Sequence, residues 1–230
     1  MSHNTAIFAA ACLSLSLITA PALADDSSNK VLTVYTYDSF VSDWGMGPLI
    51  KPTFEQQCAC TLNLVGMDDA VAMLQRLKLE GASSPADLVL GLDLNLVDDA
   101  KKSGLFTSHS VDTNSLEMPI AWQDDTFVPF DYGYFAFVYN TELMPNPPKS
   151  LDELVNAGPE LKIIIQDPRS STPGLGLLLW MKSVYGDQAD AAWAKLSDNI
   201  LTTTKGWSEA YFSLFLAGEA PMVLSYSTSP

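Results

Sequence analysis

Strand-like and helix-like patterns alternate along this chain, and that alternation limits the fold more than any other feature. Strands are predicted by runs of β-branched and apolar residues, and helices by apolar residues at helical spacing. The first six elements follow the order β-α-β-α-β-α, with strands at residues 31–37, 61–67 and 86–92 and helices at 44–57, 68–80 and 95–104. Such alternation is typical of an α/β fold whose largely parallel sheet is covered on both faces, with ligands beyond the carboxyl ends of its strands.

A second strand and helix series begins in the middle of the chain. Residues 127–140 are rich in aromatic and β-branched residues and are longer than an ordinary strand, which indicates a crossing from one lobe into another. The prolines at 145–148 interrupt the chain before the new series. That series is predicted to contain strands at 161–166 and 222–226 and helices from Ser150 and at 173–185, 188–196 and 206–217.

The amino-terminal segment has the pattern of a secretory signal. Its first 24 residues contain no Lys, Arg, Asp or Glu, and the apolar run at residues 7–20 is too short to span a bilayer. The segment ends in Ala22-Leu23-Ala24, a small-residue cleavage pattern. We therefore predict export to the periplasm with cleavage after Ala24, and four segments: the signal at 1–24, a first lobe at 25–128, a crossing strand with a second lobe at 129–225, and a return crossing that starts at 226–230.

Charge and composition exclude several classes of function. The formal net charge is −15, from 27 acidic and 12 basic residues, so nucleic acid and anionic membranes are poor partners. After the signal His109 is the only histidine, which argues against a metal site and against a Ser-His-Asp hydrolase. Cys58 and Cys60 would form a disulfide in an exported chain, although so small a ring also leaves free or alternatively paired thiols open.

Polar and aromatic residues stand at the predicted strand ends, where a ligand is expected. Tyr37 and Asp38 stand at the end of the first strand, and Asp68 and Asp69 follow the second, so an amine or a cationic ring could bind between these carboxylates; capping of the next helix is the alternative role for Asp68 and Asp69. Thr172 is placed to cap a helix with Pro173 in its first turn, and together with Ser171 it could hold a phosphate or carboxylate. An ordinary capped helix start is the alternative.

Long strings of the sequence, in order, resemble the thiamine-binding periplasmic proteins. They lie at residues 32–40, 127–139, 166–179, 205–211 and 224–230 and cover nearly the whole chain after the signal. The resemblance implies a type 2 periplasmic binding-protein fold, in which two α/β lobes close by a hinge motion on a ligand. It also implies a monomer without cofactor that binds thiamine or its phosphate esters and delivers them to the membrane permease and ATPase of an ABC importer.

The same resemblance implies a set of ligand contacts. Aromatic rings would face the cationic thiazolium and stack on the aminopyrimidine, and the turn at Ser171 and Thr172 would face a phosphate tail. Ala70 stands where the family pattern has glycine, so a contact there would run through the backbone. The residues carried over by matching motif are Tyr37, Trp44, Asp69, Ala70, Ser171, Thr172, Trp207, Tyr226, Ser227, Thr228, Ser229 and Pro230.

This chain is shorter than the members of the family that it resembles. Family members continue for roughly one hundred residues beyond the point that matches Pro230, in keeping with a two-domain total. The resemblance thus implies a fragment whose first lobe is incomplete.

Two other functions remain as alternatives. Thiaminase I shares this general fold and ligand, but it needs a cysteine nucleophile, for which only Cys58 and Cys60 are candidates. An iron or polyamine binder of the same fold class would need several tyrosines or carboxylates facing one cleft.

Overall fold

The computed structural model describes residues 30–230, so the predicted signal at 1–24 lies outside the described residues. The first half contains β1 (Val31–Tyr37), α1 (Asp38–Val41), α2 (Met46–Cys58), β2 (Thr61–Met67), α3 (Ala70–Glu80), β3 (Leu88–Val89) and α4 (Val97–Lys102). The second half contains β4 (Phe135–Tyr139), α5 (Leu151–Val155), β5 (Ile163–Gln166), α6 (Thr172–Tyr185), α7 (Ala189–Leu196), β6 (Ile200–Thr204), a π-helical segment (Glu209–Phe215) and β7 (Met222–Tyr226).

The first sheet is parallel and has the strand order β2-β1-β3. The buried face of α3 packs against it, because Val71, Leu74 and Leu77 recur at helical spacing and all three are buried. Tyr35 of β1 and Met73 of α3 are fully buried in the same cluster. The carboxyl ends of the three strands consequently lie along one edge of this sheet.

The second sheet has the order β4-β7-β5-β6, with β4 antiparallel to β7 and the other pairs parallel. Helices cover both of its faces. Ile163 and Leu224 belong to the cluster beneath α6 and α7, whereas Ile164 and Val223 belong to the cluster beneath the π-helical segment. Burial on both faces explains why β5 and β7 read as continuous apolar runs rather than as alternating patterns.

Three strand predictions were wrong in extent or missing. Only Phe135–Tyr139 of the predicted crossing at 127–140 is a strand, because Pro129 removes a backbone donor from the run before it. The pairing of β3 is reduced to Leu88–Val89 and is followed by Gly91 at φ 108. Strand β6 was not predicted at all, since its sequence Ile-Leu-Thr-Thr-Thr lacks an apolar run and it lies at the edge of its sheet.

The turn after α2 contains a disulfide between Cys58 and Cys60. Ala59 between them has φ 50, the left-handed conformation that commonly ends a helix. Of the pairings that the sequence left open, the structure has this direct bond. It lies at the start of β2, away from the carboxyl ends of the strands.

Within residues 30–230, no helix combines the length and the apolar character needed to cross a membrane. The predicted domain boundaries at 128/129 and 225/226 remain predictions.

The core of the first lobe should respond strongly to a cavity at Leu74. Leu74 is fully buried, whereas Leu79 on the same helix is 89% exposed. We expect Leu74→Ala to lower the free energy of unfolding by about 2–5 kcal/mol and Leu79→Ala to change it by less than about 0.5 kcal/mol. Urea denaturation followed by circular dichroism measures both, and equal effects would contradict the packing described here.

Candidate functional site

A cavity of about 1310 Å³ lies at the carboxyl ends of the first sheet. Its wall includes Tyr37 at the end of β1, Asp69 after β2 and Asp93 after β3. On the other side it is closed by Thr172 of α6 and by Trp207, which precedes the π-helical segment. The cavity therefore lies between the two sheets, at the strand ends where the parallel topology predicted it.

The cavity wall is acidic. Among the described residues that line the cavity there are no lysines or arginines, and the carboxylates are those of Asp38, Asp68, Asp69, Asp87, Asp93 and Asp131. Burial raises the pKa of Asp93 and Asp131 above the ordinary value for an aspartate. Burial, followed by the negative charges of Asp131 and Asp69, raises the pKa of Tyr37 to about 12. This wall would favour a bound positive charge over a negative one.

Asp69 connects the two lobes. Its Oδ1 accepts a hydrogen bond of 2.8 Å from the backbone N–H of Ala70, at the start of α3. Its Oδ2 accepts a hydrogen bond of 2.7 Å from the Ser171 hydroxyl, at the start of α6. The carboxylate is buried, and burial raises its pKa although the bond from Ser171 opposes that rise. Its negative charge is placed where the amino-terminal dipole of α6 is favourable to an anion.

The start of α6 differs from the prediction in one respect. Ser171, not Thr172, stands at the N-cap, and its hydroxyl is directed to Asp69 rather than back to the helix. Thr172 is the first helical residue, its Oγ1 is buried and has no hydrogen-bond partner within the described part of the chain, and it lines the cavity. Thr172 is thus a wall residue next to Asp69, whose pKa its hydroxyl and backbone N–H help to lower, and its predicted capping role was wrong.

Further contacts hold the lobes together beside the cavity. The Ser208 hydroxyl donates to Asp38 Oδ1 at 2.8 Å, and the Ala72 N–H donates to the Ser170 carbonyl at 3.0 Å. A Cβ at Gly206 would lie 2.6 Å from the carbonyl oxygen of Asp68, closer than any side chain tolerates. The two lobes are therefore in direct backbone contact, as in a closed arrangement.

Aromatic rings form the far side of the cavity. Trp207 stacks on Tyr211 with ring centroids 5.0 Å apart and donates from Nε1 to the Ser225 hydroxyl at 2.7 Å. It lines the cavity and also packs against the cluster beneath the π-helical segment. Phe212 lines the cavity beside it and contacts the Trp44 ring at 4.6 Å.

The structure brings together part of the predicted contact set. The residues that line the cavity are Tyr37, Asp69, Thr172, Trp207, Tyr226, Thr228 and Ser229, and those outside its lining are Trp44, Ala70, Ser171, Ser227 and Pro230. Ala70 is the first residue of α3 and is fully buried, and the Ser227 hydroxyl accepts from the Tyr134 N–H. The role of each in binding stays a prediction. Sequence reasoning missed Asp93, Asp131 and Phe212, although Asp93 follows a predicted strand and could have been found by the same rule.

The sequence profile of the family described as bacterial extracellular solute-binding protein matches residues 50–229. The chain belongs to this family. The α/β fold with two lobes agrees with the structure described as a periplasmic thiamin binding protein, at 58% identity and a TM-score of 0.85 over 88% of this chain and 63% of that one. Iron-bound HitA from Pseudomonas aeruginosa, 19% identical with a TM-score of 0.68, shares the fold alone.

Sequence relatives of this solute-binding protein agree with the resemblance described above. A thiamine-binding periplasmic protein of Brucella abortus is 58% identical over 95% of this chain and 65% of its own length. One from Escherichia coli K12 is 57% identical over 95% of this chain and 66% of its own length. The chain thus spans slightly less than two thirds of the relatives that it matches.

Within residues 30–230, no free cysteine lies at the cavity to serve the alternative of a cysteine-dependent thiaminase. Cys58 and Cys60 are joined to each other, and neither lines the cavity. A bonded sulfur carries no free thiolate for attack. Within residues 30–230 there is also no cluster of three or more His, Cys, Asp or Glu placed to hold a metal ion.

The buried carboxylate of Asp69 should make stability depend on pH. A carboxyl group whose pKa is raised by folding contributes stability that is fully present below its unfolded pKa of about 3.9 and is lost as the pH rises through the folded value. Wild type should lose this contribution as the pH rises, whereas Asn cannot ionise. We therefore expect the free energy of unfolding of Asp69→Asn minus that of wild type to increase from pH 4 to pH 8. Urea denaturation across that range checks it, with the exposed Asp98→Asn as control; parallel curves for Asp69→Asn and wild type would contradict it.

Proposed function

We propose that this protein captures thiamine in the cavity between its lobes. The observation that carries the proposal is the wall itself, in which aspartates and aromatic rings surround the space and the described lining has no basic side chain other than His109. Thiamine combines a permanently cationic thiazolium with a flat aminopyrimidine. Carboxylates stabilise the thiazolium cation, and aromatic rings can pack against both the thiazolium and the aminopyrimidine. The names of the thiamine-binding relatives support the same ligand.

Recognition would divide between the two lobes. Tyr37 and the carboxylates after β1, β2 and β3 belong to the first lobe, whereas Thr172, Trp207 and Tyr226 belong to the second. A ligand that touches both stabilises the closed arrangement over an open one, because its contacts are complete only when the lobes meet. Binding by closure, rather than chemistry, is the function that this geometry supports.

Thiamine monophosphate and diphosphate are proposed as further ligands. The Ser171 hydroxyl is already directed to Asp69, and the described lining holds no lysine or arginine for an anionic tail. A phosphate tail would therefore form no ion pair with the described lining. The ring system shared by the three ligands would therefore dominate the binding free energy.

The cellular setting follows the family. We propose that the chain acts in the periplasm as a monomer after cleavage behind Ala24, without a cofactor, and delivers its ligand to the permease and ATPase of an ABC importer. The net charge of −15 supports the absence of nucleic-acid partners.

Titration of tryptophan fluorescence tests the ligand. Trp207 lines the cavity, so a bound aromatic ring should quench its emission saturably. We expect thiamine, its monophosphate and its diphosphate to bind with dissociation constants within about tenfold of one another. Thiochrome, an uncharged derivative, should bind more weakly. Folded protein with no saturable response to any of the three would contradict the proposed function.

The acidic wall can be tested with one residue. Asp131 lines the cavity and makes no side-chain hydrogen bond within the described residues, so Asp131→Asn removes a charge without removing a contact. We expect it to weaken thiamine binding by about two- to fivefold, less at high salt. Asp98→Asn removes the same charge on exposed α4 and serves as the matched control. Equal effects of the two variants would show that the wall is not specific for the cation.

A further inference from the structure

Phe212 occupies an unusual backbone position beside the cavity. The segment Glu209–Phe215 is π-helical, and its i to i−5 hydrogen bonding continues just beyond it, where the Leu216 N–H donates to the Tyr211 carbonyl at 3.0 Å and the Glu219 N–H to the Leu214 carbonyl at 3.1 Å. A π turn holds an additional residue, is rare in proteins and is frequently found at functional sites. Here it presents Tyr211 and Phe212, adjacent in sequence, to Trp207 at 5.0 Å and 5.2 Å.

The Phe212 ring also reaches the other lobe. Its centroid lies 4.6 Å from that of Trp44, which belongs to the connection between α1 and α2. Among the described aromatic contacts, Trp44 meets no other ring. One turn earlier, Ser208 donates to Asp38 across the same boundary. The π-helical segment and the residue that precedes it thus hold the first lobe by one apolar and one polar contact.

We infer that Phe212 is a latch residue, whose ring packs on Trp44 across the edge of the cavity, holds the lobes closed and slows the release of the ligand. The assignment rests on the proposed function only where it concerns release, because the contact itself is between two side chains of the protein.

The ring pair differs from the other contacts between the lobes. The bonds from Ser171 to Asp69 and from Ser208 to Asp38 exchange for bonds to water when the lobes separate. Separation of Phe212 from Trp44 instead exposes apolar surface for which water offers no compensation. Trp44 lies outside the cavity lining, so its part in closure is carried by this contact rather than by the cavity wall.

The ligand-free protein provides the first test. Phe212→Ala removes the ring, Phe212→Tyr keeps it, and Phe54→Ala removes a phenylalanine ring of the same 38% exposure from the outer face of α2. Nitroxide labels, attached to the cysteines of the double variant Lys102→Cys and Glu160→Cys, report the distance between the lobes by double electron–electron resonance. We expect a larger open fraction for Phe212→Ala alone. Distance distributions that match wild type in Phe212→Ala would overturn the latch, whether or not thiamine proves to be the ligand.

Ligand release provides the second test. We expect thiamine to dissociate about two- to tenfold faster from Phe212→Ala than from wild type, with association little changed and with Phe212→Tyr and Phe54→Ala close to wild type. Stopped-flow displacement measures the rates, and circular dichroism confirms that each variant is folded. An unchanged dissociation rate in Phe212→Ala would overturn the assignment. Absence of thiamine binding in every variant, including wild type, would refute the proposed function and leave the distance measurement to decide the latch.

Discussion

The hydrogen bond between the Ser171 hydroxyl and the Asp69 carboxylate, 2.7 Å long and buried, organises the site on which the rest of the structure converges. One end belongs to the start of α3 above the first sheet, and the other to the start of α6 above the second. A buried carboxylate is stable only when hydrogen-bond donors surround it, and the donors here come from both lobes. When the lobes separate, the carboxylate loses its donor from the second lobe and must be hydrated instead. The same bond therefore serves packing, lobe closure and the electrostatics of the cavity.

The acidic wall follows from this arrangement. Parallel strands bring their carboxyl ends to one edge, and the residues that follow β1, β2 and β3 include Asp38, Asp69 and Asp93. Carboxylates in a partly buried space are costly to desolvate, which raises the pKa values of all three, and for Asp38 the negative charge of Asp68 adds to the rise. A bound cation relieves both costs at once. The same carboxylates that are costly to bury thus favour the binding of a cation.

Much of the fold could be predicted from local patterns because buried elements have regular periods. Residues 31–37 and 61–67 were predicted to be strands and are strands with those bounds, since β-branched, aromatic and other apolar residues predominate in both short segments. Strand β6 was missed because an edge strand needs no continuous apolar run. The site divides in the same way: Tyr37 and Asp69 could be found from strand ends, whereas Phe212 could not, because its position depends on a π turn that periodicity does not reveal.

The close approach of Gly206 to Asp68 sets a mechanical stop for the two lobes. Because the lobes meet backbone against backbone at this point, further travel is blocked by atoms that cannot rotate aside. The smallest volume that the cleft can enclose is then fixed by the main chain and not by the flexible side chains of the wall. A solute too small to fill that volume would leave part of the wall without contacts however completely the lobes close. The absence of a side chain at residue 206 thereby lets the lobes approach until their main chains meet, and that contact sets the smallest volume of the cleft.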